Sequence, residues 1–279
     1  MDKRCPYENL YIYLVVGAVP SKDEGLLGEF FLGNWVEDDT SFLFFSRPAE
    51  EEVFRLMKER EHLILLEQYT MPYEQWQGGI IEGITVERFS IAPPWGEGTA
   101  AAGKERIILD PGVVFGNGLH PTTRDCLRAL CDARKKPGFR KVVDVGTGTG
   151  VLAIAAGLLG AKDILAVDLN PLCVRTALRN VQMNGLEGVI RVREKDALDI
   201  PYEEADLIIA NIHYDVIEGL LKMRSFRQAP RVIISGLMRS QARLVREELK
   251  KCDIALLGEW EHEMTWYTFL AGRGEGGDG

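Results

Sequence analysis

No stretch of this 279-residue chain approaches the length of apolar sequence that a membrane span needs, about 20 residues. The opening MDKRCPYENL has neither the apolar core nor the small-residue cleavage site of a secretory leader. Cysteine is sparse and scattered: Cys5, Cys126, Cys131, Cys173 and Cys252 form no CxxC pair and no zinc spacing. That pattern fits reduced thiols in a cytoplasmic protein rather than a disulfide framework, and no metal site is expected. Internal repeats are missing, and the one low-complexity tract is the tail GRGEGGDG, expected to be disordered.

Positive charge is scarce in the first third. Residues 1–105 carry nine Lys and Arg against nineteen Asp and Glu, whereas the remainder carries 24 against 23. An acidic face repels phosphate and attracts basic partners. A basic protein is therefore the expected partner, with no direct nucleic-acid contact and no membrane; generic solubility is the other use of such charge.

What is present divides the chain in two. LYIYLVVGAV, SFLFFS and HLILLEQYT are β-branched and aromatic runs that read as strands. Between them, SKDEGLLGEFFLG reads as a helix from Ser21 to a stop at Gly33, and AEEEVFRLMKERE as a helix with acids first and bases later. This is a small α+β, ferredoxin-like domain over residues 1–90. IAPPWGEGTAAAGKE follows, its Pro, Gly and Ala marking a linker over 91–105. From 106 to 272, KVVDVG, DILAVDL, GVIRVRE, ADLIIANI and RVIISGL are short apolar strands, most followed by helical stretches. Strands that are apolar throughout belong to a parallel sheet covered on both faces. IALLGEWE and TWYTFLAG lie too close together for a crossover helix and should pair antiparallel. The expected fold is α/β, a Rossmann-like class I methyltransferase sheet, with residues 273–279 as the tail.

The chemistry gathers at strand ends. Asp144-Val-Gly146-Thr-Gly148-Thr-Gly150 ends the first parallel strand, where glycines let the backbone approach a ligand and a helix start offers free N–H groups. Its GxGxG spacing and preceding acid differ from the GxGxxG of dinucleotide sites. A second acid, Asp168, ends the next strand, placed to accept two ribose hydroxyls. Two acids around a glycine turn suit S-adenosylmethionine, which carries an ammonium and a ribose but no pyrophosphate. Asp196 is either a contact to the adenine amino group or a solvated loop acid. Asn211 ends the fourth strand in ANIHY and is the expected catalytic residue, accepting a hydrogen bond from a substrate amine. Nearby His213 is a possible base, although a lone histidine is more often packed than catalytic. Upstream, DPGVVFGNGLHPTT reads as a mobile flap containing Phe115, with Pro121 opening a helix and the Thr122 and Thr123 hydroxyls beside it.

PGVVFGNGLHPTT resembles the PGxAFGTGTHPTT signature of the PrmA family, which methylates protein eleven of the large ribosomal subunit. VDVGTGTG, AVDLNP, ANI and ISGLMRSQ occur in the same order as in that family. The resemblance is strong from Asp110 to about Gln241 and covers the first domain in layout only. It implies an S-adenosylmethionine-dependent methyltransferase acting on lysine and α-amino nitrogens of a ribosomal protein, with cofactor contacts at Thr123, Gly146, Asp168 and Asn211. Asn117, Leu119, Thr147, Thr149, His213 and Tyr214 depart from the family pattern and bear on the substrate more than on the reaction. Methylation of another protein or of a small molecule, and a non-catalytic S-adenosylmethionine-binding module, remain the alternatives.

Overall fold

The computed structural model describes residues 5–79, 83–96, 102–136 and 138–273. The first sheet holds β1 (Asn9–Val16), β2 (Phe31–Glu37), β3 (Thr40–Phe45) and β4 (Ile64–Pro72) in the order β2-β3-β1-β4, with every pair antiparallel. Helix α1 (Glu50–Glu59) joins β3 to β4, and the short α2 (Tyr73–Gln77) follows. This is the ferredoxin-like order, with a 3-10 turn (Ser21–Leu27) in place of the first helix. The helix expected from Ser21 to Gly33 is therefore corrected. Gly28, at φ 77, ends the turn, and Phe31 onward extends as β2 with Gly33 inside the strand. The glycines that make a long helix costly here are the cause.

One face of this sheet packs Tyr13, Val15, Leu43 and Phe45 against Val53 and Leu56 of α1. The other buries Leu10, Ile12 and Phe44, with Tyr73 of α2, against Val113, Val114, Leu172 and Cys173 of the second domain. Both faces being apolar is why β1 and β3 read as nearly continuous hydrophobic runs.

A three-stranded sheet comes next: β5 (Ile84–Val86), β6 (Phe89–Ala92) and β7 (Glu105–Ile108). The expected linker over 91–105 is thus strand at both ends, because Ile91 and Ala92 close β6, Glu105 opens β7, and these two strands pair in parallel. Val86, Phe89, Ile91 and Ile107 are buried in the core of the second domain, so a boundary at residue 90 cuts through that sheet. The apolar FSIA was masked by the prolines and glycines beside it. Residues 97–101 of that linker, and 274–279 of the expected tail, lie outside the described residues.

The large sheet has β8 (Lys141–Val145), β9 (Asp163–Asp168), β10 (Ile190–Glu194), β11 (Leu207–Asn211), β12 (Arg231–Met238), β13 (Ala255–His262) and β14 (Trp266–Gly272), ordered β10-β9-β8-β11-β12-β14-β13. The first five are parallel; β14 is antiparallel to both β12 and β13, as the short connection requires. Helices α3 (Pro121–Arg134), α4 (Val151–Leu158) and α5 (Pro171–Met183) supply one apolar layer. The opposite layer comes from α6 (Tyr214–Lys222), α7 (Arg224–Gln228) and α8 (Arg239–Lys251). Helix α5 starts where expected: Asn170 Oδ1 accepts the Leu172 N–H at 2.9 Å, with Pro171 in the first turn. No helix among the described residues is long and apolar enough to cross a membrane.

The two domains meet closely at Gly33, where a Cβ would stand 2.4 Å from Cδ1 of Leu172. Gly33→Val should destabilise the protein by about 1–3 kcal/mol through this overpacking. Denaturant unfolding checks it; wild-type stability in the variant would mean that the first sheet does not press on α5.

Candidate active site

A cavity of about 690 Å³ opens at the carboxyl ends of β8, β9 and β11. Gly146, Gly148, Asp168 and Asn211 all line it, brought together from three strand ends, with His213 and Tyr214 on its rim. Parallel strands place their carboxyl ends in one crevice, so this convergence follows from the topology.

Asp168 is held by backbone donors: Oδ2 accepts the Gly148 N–H and Oδ1 the Asn170 N–H, each at 3.0 Å. Burial pushes its carboxyl above the ordinary range, while these bonds and the Cys173 thiol pull the other way. No Lys or Arg bridges it among the described residues. Asn211, in register with Ser235 on β12, makes no side-chain hydrogen bond among the described residues and is only partly buried. Its amide is available to a ligand.

The segment from Asp110 to His120, read as a flap, borders the cavity and is hydrogen-bonded from both sides. Thr149 donates its N–H to Phe115 O at 3.2 Å and its Oγ1–H to Gly116 O at 2.8 Å. Gly148, at φ 53, permits this approach, since a Cβ there would lie 2.6 Å from Phe115 O. From the other side, Tyr73 and Gln77 donate to Gly112 O at 2.7 and 2.8 Å, and Asn117 donates to Gln77. Phe115 is left half-exposed on the cavity wall.

Three expected contacts fall elsewhere. Asp144 lies beneath the cavity, buried, with Oδ2 accepting Thr147 Oγ1–H at 2.6 Å and Ala153 N–H at 3.2 Å. It braces the start of α4. Thr123 is fully enclosed and its Oγ1 has no hydrogen-bond partner; the hydroxyl at the cavity belongs to Thr122, paired with His120 Nδ1 at 2.8 Å. Asp196 caps a 3-10 turn (Ala197–Asp199), accepting Leu198 N–H at 2.8 Å, and does not line the cavity.

Other lining residues escaped the sequence reading. His120 sits between Phe115 and Trp266, ring centroids 5.2 and 5.0 Å away. Burial, with His262 nearby, lowers its pKa and so favours the neutral imidazole. Ser21, Glu24, Asn34, Trp35 and Glu37 bring a wall from the first domain. Glu24 is tied to Arg175 of α5 at 3.2 Å. His120 carried a sequence signal, in the flap signature and at the helix start, whereas the residues from the first domain carried none.

The parallel sheet with its antiparallel closing pair and glycine turn defines a class I methyltransferase fold. Residues 82–273 match the family described as ribosomal protein L11 methyltransferase (PrmA), and the chain belongs to that family. A protein of Listeria monocytogenes serotype 4b named ribosomal protein L11 methyltransferase is 39% identical over 191 residues, which are 67% of this chain and 60% of that protein. One of the same name from Streptococcus agalactiae is 42% identical over 178 residues, 61% of this chain and 56% of its own length. The chain thus matches less than two thirds of these relatives' lengths. The solved ribosomal protein L11 methylase of Lactobacillus delbrueckii subsp. bulgaricus superposes with a TM-score of 0.61 at 30% identity, covering 69% of this chain and 98% of the other.

Burial lifts Asp144 from its ordinary 3.8 to about 7, so the folded protein holds this proton more tightly than the unfolded chain does. Between those two values the unfolded chain has lost the proton that the fold retains. Stability from this group therefore falls as pH rises from about 4 to about 7 and is level above. Asp144→Asn should unfold at a higher temperature than wild type at pH 8, with the gap narrowing at pH 5. An equal gap at both pH values would show that Asp144 is ionised throughout.

Proposed function

We propose that this chain is an S-adenosylmethionine-dependent protein N-methyltransferase that modifies lysine and α-amino nitrogens of ribosomal protein L11 in the cytoplasm. The observation that carries this reading is the meeting of Gly146, Gly148, Asp168 and Asn211 around one cavity. An anion fixed by backbone N–H groups, without a cationic partner, suits paired ribose hydroxyls. The acidic first domain suits a basic protein and disfavours phosphate.

S-adenosylmethionine supplies an electrophilic methyl on a positively charged sulfonium. Asp168, Gly146 and Gly148 would hold it, and Asn211 would orient the attacking nitrogen by accepting one of its N–H groups. A lysine must first lose a proton, which at pH 7 costs about 4–5 kcal/mol for a pKa of about 10.4. His120, its pKa lowered by burial, packs with Phe115 and Trp266 on the wall of this cavity. The Tyr214 hydroxyl, raised by burial, stays protonated and is no base. Desolvation of the ammonium as it enters the cavity lowers its pKa and favours loss of its proton.

Labelled S-adenosylmethionine with purified ribosomal protein L11 tests the substrate; a label on other proteins or on small molecules alone would replace it. Asp168→Ala should weaken cofactor binding at least about tenfold through loss of a charge-assisted hydrogen bond, and calorimetry giving wild-type affinity would sink that assignment. Asn211→Ala should cut turnover at saturating substrates by about a hundredfold through misorientation of the amine, with the smaller effect on cofactor affinity. Wild-type turnover would mean that the amine is oriented elsewhere.

A further inference from the structure

Behind Phe115 lies a second cavity of about 590 Å³, walled by Trp35, Phe42, Phe44 and Trp76 of the first domain and by Val113 and Leu119 of the covering segment. Its walls are preformed. Trp35 and Phe42 are cross-strand partners on β2 and β3. The Phe44 and Trp76 rings meet at 5.1 Å, and Trp76 Nε1–H donates to Val113 O at 3.2 Å. The two cavities share Trp35, Glu37, Phe115 and His120, so one opens beside the other.

We propose that the second cavity is a specificity subsite that takes an apolar or aromatic side chain of the protein substrate, within a few residues of the amine to be methylated. The amine rests on the methyltransferase reading above; the side chain rests on the chemistry of this cavity. An aromatic-walled pocket of this size is suited to burying apolar surface. Among the described residues it has no Lys or Arg in its lining to hold a phosphate or carboxylate. Glu37 stands where the cavities join, so a basic segment gains a carboxylate on its way past the apolar pocket. Because the walls are tied by strand pairing and by Trp76, little ordering opposes entry of the side chain. The separation of roles is physical: the first cavity binds charge and ribose-like polarity, the second reads the neighbour of the amine.

The test uses the full chain with S-adenosylhomocysteine and fluorescein-labelled basic peptides that carry one lysine. A phenylalanine is moved through the three positions on either side of the lysine and compared with the all-alanine parent, and anisotropy reads binding without turnover. One phenylalanine position should tighten binding about tenfold. Phe42→Trp, which fills the cavity, should abolish that gain and leave the alanine parent unaffected. Should Phe42→Trp not fold, Trp76→Ala, which opens the wall, must reduce the same preference. No favoured phenylalanine position, or a preference that survives the folded variant, overturns the subsite. The outcomes also separate the two readings. Peptides that bind with the preference yet are never methylated when S-adenosylmethionine is supplied count against the methyltransferase and for the subsite. Methylation indifferent to the phenylalanine counts only against the subsite.

Discussion

Much of this structure depends on one buried amide. Asn180, on α5, is fully enclosed. Its Oδ1 accepts the Asp110 N–H at 2.9 Å, and its Nδ2 donates to Asp110 O at 3.0 Å and to Thr149 O at 2.8 Å. One turn later Asn184 grips β7 in the same way, accepting the Ile108 N–H at 2.9 Å and donating to Ile108 O at 2.7 Å. Together the two amides serve the incoming chain as a strand edge would. A buried polar group left unpaired costs about 1–3 kcal/mol, so β7, the covering segment and the glycine turn have one arrangement that satisfies them all. The position of Phe115, and with it the wall between the two cavities, follows from that arrangement.

A covering segment fixed from below can serve as a floor for the first domain. The Gly112 carbonyl takes both Tyr73 and Gln77, and Val113 and Val114 enter the same apolar cluster as Leu10, Ile12 and Phe44. Acidic residues of the first domain are thereby set at the cavity mouth rather than swung there on a tether. Glu24 and Glu37 of the first domain therefore line the cavity in a position set by this packing.

The large sheet was legible because its strands are buried on both faces and so lack polar alternation, and because α5 carries its own punctuation in Asn170, Pro171 and Gly185. The first domain was half legible. β2 was hidden by Ser21, acids and glycines that mimic a helix start, and β6 by the prolines that follow it. Local signals describe a segment's neighbours in sequence, whereas these strands are fixed by partners elsewhere: Trp35 by Phe42, and Phe89 by Glu105. The same limit governs the site. Asp168, Gly146, Gly148, Asn211 and Phe115 sit at strand ends or in a recognisable motif, and the fold alone brings them to the cavity. The wall from Ser21 to Glu37 has no such mark, since it reaches the cavity only through the docking of two sheets.

Asp144 and Asp168 show why residue type and position in a motif do not settle a role. Each is an acid next to the same glycine turn, and burial raises the carboxyl of each. Partners separate them. Asp144 is closed off, with a hydroxyl and one amide as donors, whereas Asp168 keeps backbone donors and borders the cavity. The two also repel, and the charge on Asp168 helps to hold the Asp144 proton. A proton retained on Asp144 spares Asp168 a second negative neighbour in a low-dielectric interior. Of these two carboxyls only Asp168 borders the cavity, and the buried Asp144 acts from beneath as a brace of the glycine turn and the start of α4.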